Sequence, residues 1–240
     1  MKKFSIIVLA LIFCLPPLFA DEGQLCDLGP VSFIRPAASE WNSDVTLEVN
    51  HEAHFVHRTS GDQIRIRFYV PTEFEKNLGG PAAMTRFVRE NVEMPIYCRY
   101  LESQDLILLI HSEKAGPETR QLLQDLIQSL QVNENFMLSP CVRIGMIQNQ
   151  FQKMAEMKSS CLTSYASSLK KELERRIAQG DRHCFGPLYY FLGHLACYNR
   201  DWQFMGKGFN RGQAIDFFRK AEEARSRAQE PGNALKLLSR

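Results

Sequence analysis

QIRIRFYV, residues 63–70, decides the fold. Ile64, Ile66, Phe68 and Val70 alternate with Arg65, Arg67 and Tyr69. Side chains of a strand point to opposite faces in turn, so this period of two describes a half-buried strand with one polar face. Upstream, Val45, Leu47 and Val49 alternate with Thr46 and Glu48 in the same way. Thr59-Ser60-Gly61-Asp62 has the composition of a hairpin turn leading into the decisive strand. A second hairpin is expected from Ile96–Leu101 and Leu106–His111 around Glu102-Ser103-Gln104-Asp105.

Helical spacing interrupts these strands twice. Met84, Phe87, Val88 and Val92 recur at helical intervals after Gly79-Gly80-Pro81, which reads as a loop entering a helix. Leu122, Leu123, Leu126, Ile127 and Leu130 do so more strongly, with Pro117 in the first turn, where a missing N–H costs nothing. Strands, helix, two strands, helix is the order of an α+β domain with one antiparallel sheet and helices on one face. That order is similar to the layout of the Mog1/PsbP-type α+β sandwich.

The pattern changes after residue 132. Val132-Asn133-Glu134-Asn135 is a polar break, and Ser139-Pro140 reads as an N-cap and first helical residue. Ile147, Phe151, Met154, Cys161, Tyr165, Leu169, Leu173 and Ile177 keep a period near 3.6 up to Gly180. They form one long helix, or two meeting near Ser159-Ser160. Lys170–Glu174 and Glu172–Arg176 fall at i,i+4, which assigns KKELERR to a solvated helix face and not to a nucleic-acid patch. The expected organisation is a leader over 1–20, an α+β domain over 21–132 and an all-α helical hairpin or small bundle over 133–240.

Residues 187–224 read PLYYFLGHLACYNRDWQFMGKGFNRGQAIDFFRKAEEA. Leu192-Gly193 lies in one helical pattern and Ala214 to Ala221 in a second, with Gly193, Ala196, Ala214 and Ala221 small enough for close helix approach. This pair resembles a Sel1-like or tetratricopeptide-like helical repeat. It departs from that pattern in the long connection Asp201–Phe209, and no second copy is visible. The resemblance implies a protein-binding surface and no enzyme activity. Of the aromatic group Tyr189, Tyr190, Phe191, Tyr198 and Trp202, any exposed members are candidates for an interface, because Tyr and Trp contribute most there. The candidate partner surface is Tyr190, Tyr198, Trp202 and Phe209.

The first twenty residues read as an export signal: Lys2-Lys3, an apolar run from Phe4 to Leu15, Pro16-Pro17, and Ala20 as the cleavage residue. The run is too short to span a bilayer comfortably. Cys14 opens a lipoprotein alternative, against which Phe13 is too large for the preceding position. The expected location is periplasmic or secreted, with no membrane span in the mature chain. Two of the 29 basic residues lie in the leader, so 27 remain against 27 acidic ones. That balance argues against nucleic acid as a partner. Cleavage also leaves six of seven cysteines: Cys26, Cys98, Cys141, Cys161, Cys184 and Cys197. With no C-x-x-C among them, they read as structural, some paired and some buried as thiols, with pairing open.

HEAHFVH, residues 51–57, sets three histidines three apart. On a helix they would partly converge. On a strand His54 points away from His51 and His57, which lie about 20 Å apart, and no single ion reaches all three. The neighbouring alternation favours the strand. HEAH also has one residue too few for the H-E-x-x-H zinc motif. Searches for G-x-S-x-G, a Walker loop and G-x-G-x-x-G are empty. His194 sits on an apolar stripe as a core histidine. No catalytic residue, cofactor or metal is assigned. The expected function is that of an exported, non-enzymatic protein-interaction or envelope-associated module. The alternative is a metal-dependent hydrolase using residues 51–57.

Overall fold

The computed structural model describes residues 24–47, 51–92, 94–113, 116–180, 182–224, 234–236 and 238. The leader and its cleavage point therefore lie outside the described residues, as does Val49. The class is α+β, with strands in the N-terminal part and helices in the C-terminal part.

Eight described strands form two antiparallel sheets, where the sequence pattern suggests one. The larger has the order β3(Trp41–Thr46)–β4(Glu52–His57)–β5(Gln63–Tyr69)–β7(Leu106–Glu113)–β6(Tyr97–Leu101). The smaller joins β1(Leu25–Asp27), β2(Val31–Ile34) and β8(Gln131–Val132). Strands of two to four residues are too short to print an alternation, which is why the small sheet escapes sequence reading. Both predicted hairpins form. The β4–β5 turn uses Gly61 at φ +70, and the β6–β7 turn is a single 3-10 turn closed by Asp105 in the left-handed region at φ +52.

β5 divides its two faces as its alternation requires: Ile64, Ile66 and Phe68 are buried, while Arg65 and Arg67 are half-buried opposite them. β3 begins earlier than the Val45–Val49 pattern suggests, because Trp41 pairs with His57 and its ring packs 4.9 Å from that imidazole. Its Asn42-Ser43-Asp44 run is polar and exposed, as suits an edge strand protected from further pairing.

Each face of the large sheet is covered. On the Phe55 side lies the small sheet, where Phe33 meets Phe55 edge-to-face at 6.0 Å. Across the Arg67 side runs α4(Pro140–Glu156), with α5(Leu162–Ala178) behind it. Double coverage explains the unbroken apolar run Leu106–Ile110, all of it buried. A single buried cluster includes Phe55, Ile107 and Leu109 together with Phe151, Tyr165 and Phe191.

Polar side chains tie the helices to this sheet. Ser139 caps α4 by accepting from the Val142 N–H at 3.3 Å, with Pro140 in the first turn. Buried Gln150 donates to the Val70 carbonyl and accepts from the Val70 N–H, both at 3.0 Å, so its amide continues the ladder past the end of β5. Arg143 donates to Asp105 Oδ2 at 2.7 Å and to the Asp105 and Gln104 carbonyls. The short helix α1(Glu73–Lys76) carries a capping box in which the fully buried Glu75 accepts from the Thr72 N–H and hydroxyl and from the Tyr69 hydroxyl. Burial pushes the Glu75 carboxyl above its usual range.

α2(Pro81–Asn91) and α3(Pro117–Ser129) start where Pro81 and Pro117 predict. The long period from 141 to 179 resolves into α4 and α5, separated by a turn with Lys158 at φ +52. Glu172 corrects the picture of a solvated α5 surface. It is buried, accepting from the Glu73 N–H at 3.1 Å and from Arg176 at 2.6 Å. α1 sits on α5 there, and an exposed backbone N–H recruited the carboxylate.

Candidate functional site: an aromatic face at the helical end

α6(Phe185–Ala196) and α7(Arg211–Glu223) follow α5. They approach closely at Gly193, where an added Cβ would meet the Phe218 ring at 2.8 Å. Ala214 and Ala221 are fully buried on α7. The small residues therefore sit where the two helices touch.

The connection between them is built on Asn199. Its Oδ1 accepts from the N–H groups of Asp201 at 3.0 Å and Gln203 at 2.9 Å, and its Nδ2 donates to the Lys207 carbonyl at 3.4 Å. Tyr198 and Phe204 form an isolated bridge, and the Met205 N–H donates to the Cys197 carbonyl at 2.7 Å. This tight path puts Trp202 at φ +57 and Met205 at φ +52. A bulky residue held in the left-handed region costs on the order of 1–3 kcal/mol and points to a constraint beyond chain reversal.

That conformation presents Trp202 half-buried, its indole Nε1–H donating to the Thr163 hydroxyl at 3.0 Å. The ring packs on Phe151 at 5.9 Å and near Tyr198 at 6.2 Å. Tyr198 in turn meets Phe204 at 5.3 Å, and Phe204 lies 5.0 Å from the His194 ring. Phe204 is 48% exposed. Tyr198 and Trp202 line two cavities at once. One, of about 230 Å³, also takes Gln152, Glu156, His194 and Phe204; the other, of about 360 Å³, takes Thr163, Lys170 and Phe217 among its walls.

Burial pushes the Tyr198 phenol up to about 12, so its hydroxyl stays protonated at neutral pH. Burial alone pushes His194 down to about 4, and among the described residues its Nδ1 has no hydrogen-bond partner. The expectation of a satisfied core histidine fails here, because His194 is only half-buried at the edge of a cavity.

The four predicted surface residues divide in two. Tyr198 and Trp202 come together on this face. Tyr190 and Phe209 instead pack with a separate small core around Cys197, Ala214, Phe218 and Leu238. Tyr190 meets Phe218 at 5.4 Å, so these two rings hold the hairpin together. Phe204 joins this face without a periodic signal in the sequence; its signal is the spacing of Tyr198, Trp202 and Phe204 within one short loop.

The three histidines of residues 51–57 are held apart. His51 precedes β4 at φ +48, its Nδ1 2.8 Å from the Leu28 carbonyl and its ring against Phe136. It therefore does not share a strand face with His57. His54 pairs with Gln63 at 3.1 Å, and His57 with Ser60 at 2.8 Å. Among the described residues, no three His, Cys, Asp or Glu side chains are grouped to hold a metal ion. Among the same residues, no helix is long and apolar enough to cross a membrane. No protein-family model, curated protein or solved structure matches the chain.

Proposed function

We propose that this chain is an exported, non-enzymatic protein-contact module that engages its partner through Tyr198, Trp202 and Phe204. The observation that carries this reading is Trp202 itself. A bulky residue at positive φ presents an indole between two cavities, with a half-exposed phenylalanine beside it. Interface anchors have this form: large, rigid aromatic groups backed by packed rings and rimmed by polar side chains. Glu156 and Gln152 supply that rim on one side, and Lys170 on the other. The resemblance of residues 187–224 to a Sel1-like helical pair supports the same role.

The test is retention of a partner from an envelope extract of the source cell by the immobilised protein. Trp202→Ser and Phe204→Ser are expected to abolish retention of the dominant partner while the thermal unfolding of Phe204→Ser stays close to that of the parent. Equal retention by parent and both variants would place the contact surface elsewhere.

A further inference from the structure

The polar face of the large sheet forms a second site, separate from the aromatic one. The register places His54, Arg65 and His111 directly opposite one another on β4, β5 and β7. Directly opposed residues sit about 5 Å apart, so three nitrogen-bearing side chains form a row across three strands. Arg67 stands about 7 Å further along β5 on the same face. Lys153 of α4 closes over it. A cavity of about 310 Å³ is lined by His54, Arg65, Arg67, His111 and Lys153, with Glu113 as its acidic member. Glu52 ion-pairs with Arg65 at 3.1 Å and lines an adjoining cavity of about 280 Å³, which also takes Arg67, Lys153 and Glu156.

Strand residues cannot drift apart as surface lysines do. Arg65 and Arg67 are therefore held together while α4 brings a third cation to them. Burial, then the charge of Arg67, pushes Lys153 down to about 8, and burial pushes Arg67 down to about 10, while Glu52 pulls both back up. A bound anion beside them acts in the same direction as Glu52. The cavity also has an apolar side. Val92, Met94 and Met157 come to it from two different segments, with Met94 89% and Met157 58% exposed. Exposed methionines adapt to varied apolar groups.

We infer that this cleft binds the oxyanion head of a small amphiphile, a carboxylate or phosphate monoester with a short apolar tail. The head lies against Arg65, Arg67 and Lys153. The tail runs along Met94 and Met157. Arg offers a planar fork that matches both head groups, and charge-assisted hydrogen bonds of this kind are the strong ones.

Calorimetric titration of the intact protein at constant ionic strength tests this, with octanoate, octyl phosphate and the neutral octan-1-ol as probes. Saturable binding of at least one octyl anion is expected, with octanol binding far more weakly. Octanoate alone, octyl phosphate alone, or both would identify the head group and support the site. Arg67→Gln is expected to weaken binding about tenfold, the scale of one charge-assisted bond. Lys153→Met, which keeps an unbranched apolar stem on α4, should do the same with the fold intact, and Met94→Ser should weaken binding several-fold. Absence of binding by both anions, equal binding of octanol, or undiminished binding by folded Lys153→Met and Arg67→Gln would overturn the inference. None of these residues belongs to the Trp202 face, so either site stands or falls alone.

Discussion

His194 carries a ring nitrogen, Nδ1, that is buried with no partner among the described residues, and burial lowers its imidazole to about 4 from an ordinary value near 6.5. The sign follows from proton counting. Between pH 6.5 and 4 the unfolded chain takes up a proton that the folded chain does not, so acidification favours unfolding across that window. His111, also lowered to about 4 by burial and then by Arg67, adds the same slope. His194→Phe is expected to flatten part of this acid limb and leave the His111 share. Urea midpoints measured from pH 7 to 4.5 on both proteins check it: an unchanged slope in the variant would mean that His194 is protonated in the folded state. Gln150 shows the opposite case, a buried polar group whose donor and acceptor are both used.

Among the elements, the N-terminus of α4 and the 3-10 turn Arg182–Cys184 before α6 meet through sulfur. Cys141 Sγ and Cys184 Sγ lie 2.6 Å apart, and Cys141 also contacts the His183 carbonyl at 3.6 Å. Cys26, Cys98, Cys161 and Cys197 are free thiols in the structure, with burial raising Cys98 and Cys197 to about 11. With oxidised glutathione as oxidant, the two thiols are expected to join as a disulfide. They lose two protons and two electrons, and one oxidised glutathione becomes two reduced ones. Maleimide labelling of residues 21–240, oxidised and then denatured, should modify four of the six cysteines in that stretch, with a Cys141–Cys184 peptide by mass spectrometry. Six modified cysteines would show that the contact stays unbonded.

The elements differ in how much of them the sequence made legible. β5, both hairpins and the starts of α2, α3 and α4 follow from alternation, turn residues and proline positions, which are local signals. The small sheet does not, because its strands exist only through pairing. Glu172 was misplaced because its partner, the Glu73 N–H, lies 99 residues away. Of the site, Tyr198 and Trp202 were named in advance. Phe204 sits in an irregular loop that leaves no periodic signal, and the packing of Tyr190 and Phe209 on the small core depends on which side of the helical hairpin its neighbours cover, which no residue pattern states. Arg65 and Arg67 were visible as a polar face, but Lys153 joins them only through the fold.

On the scale of the molecule, a single buried cluster runs from the small sheet through the large sheet to the helices beyond residue 132. Tyr69 and Leu109 therefore face side chains that the chain supplies only after residue 139. A fragment ending at residue 139 is expected to lack fixed tertiary structure, read as a loss of near-ultraviolet circular dichroism with far-ultraviolet signal retained. A fragment with native-like near-ultraviolet bands would show that the sheet half stands without α4.

The position of Gln150 in that arrangement bears on how the protein is made. Synthesis runs from the N-terminus, so β5 leaves the ribosome about 80 residues before the amide that completes its ladder. During that interval Tyr69 and Leu109, the apolar end of the Arg67 side, lack the cover that α4 supplies. A holding chaperone would keep the chain from self-association until α4 arrives.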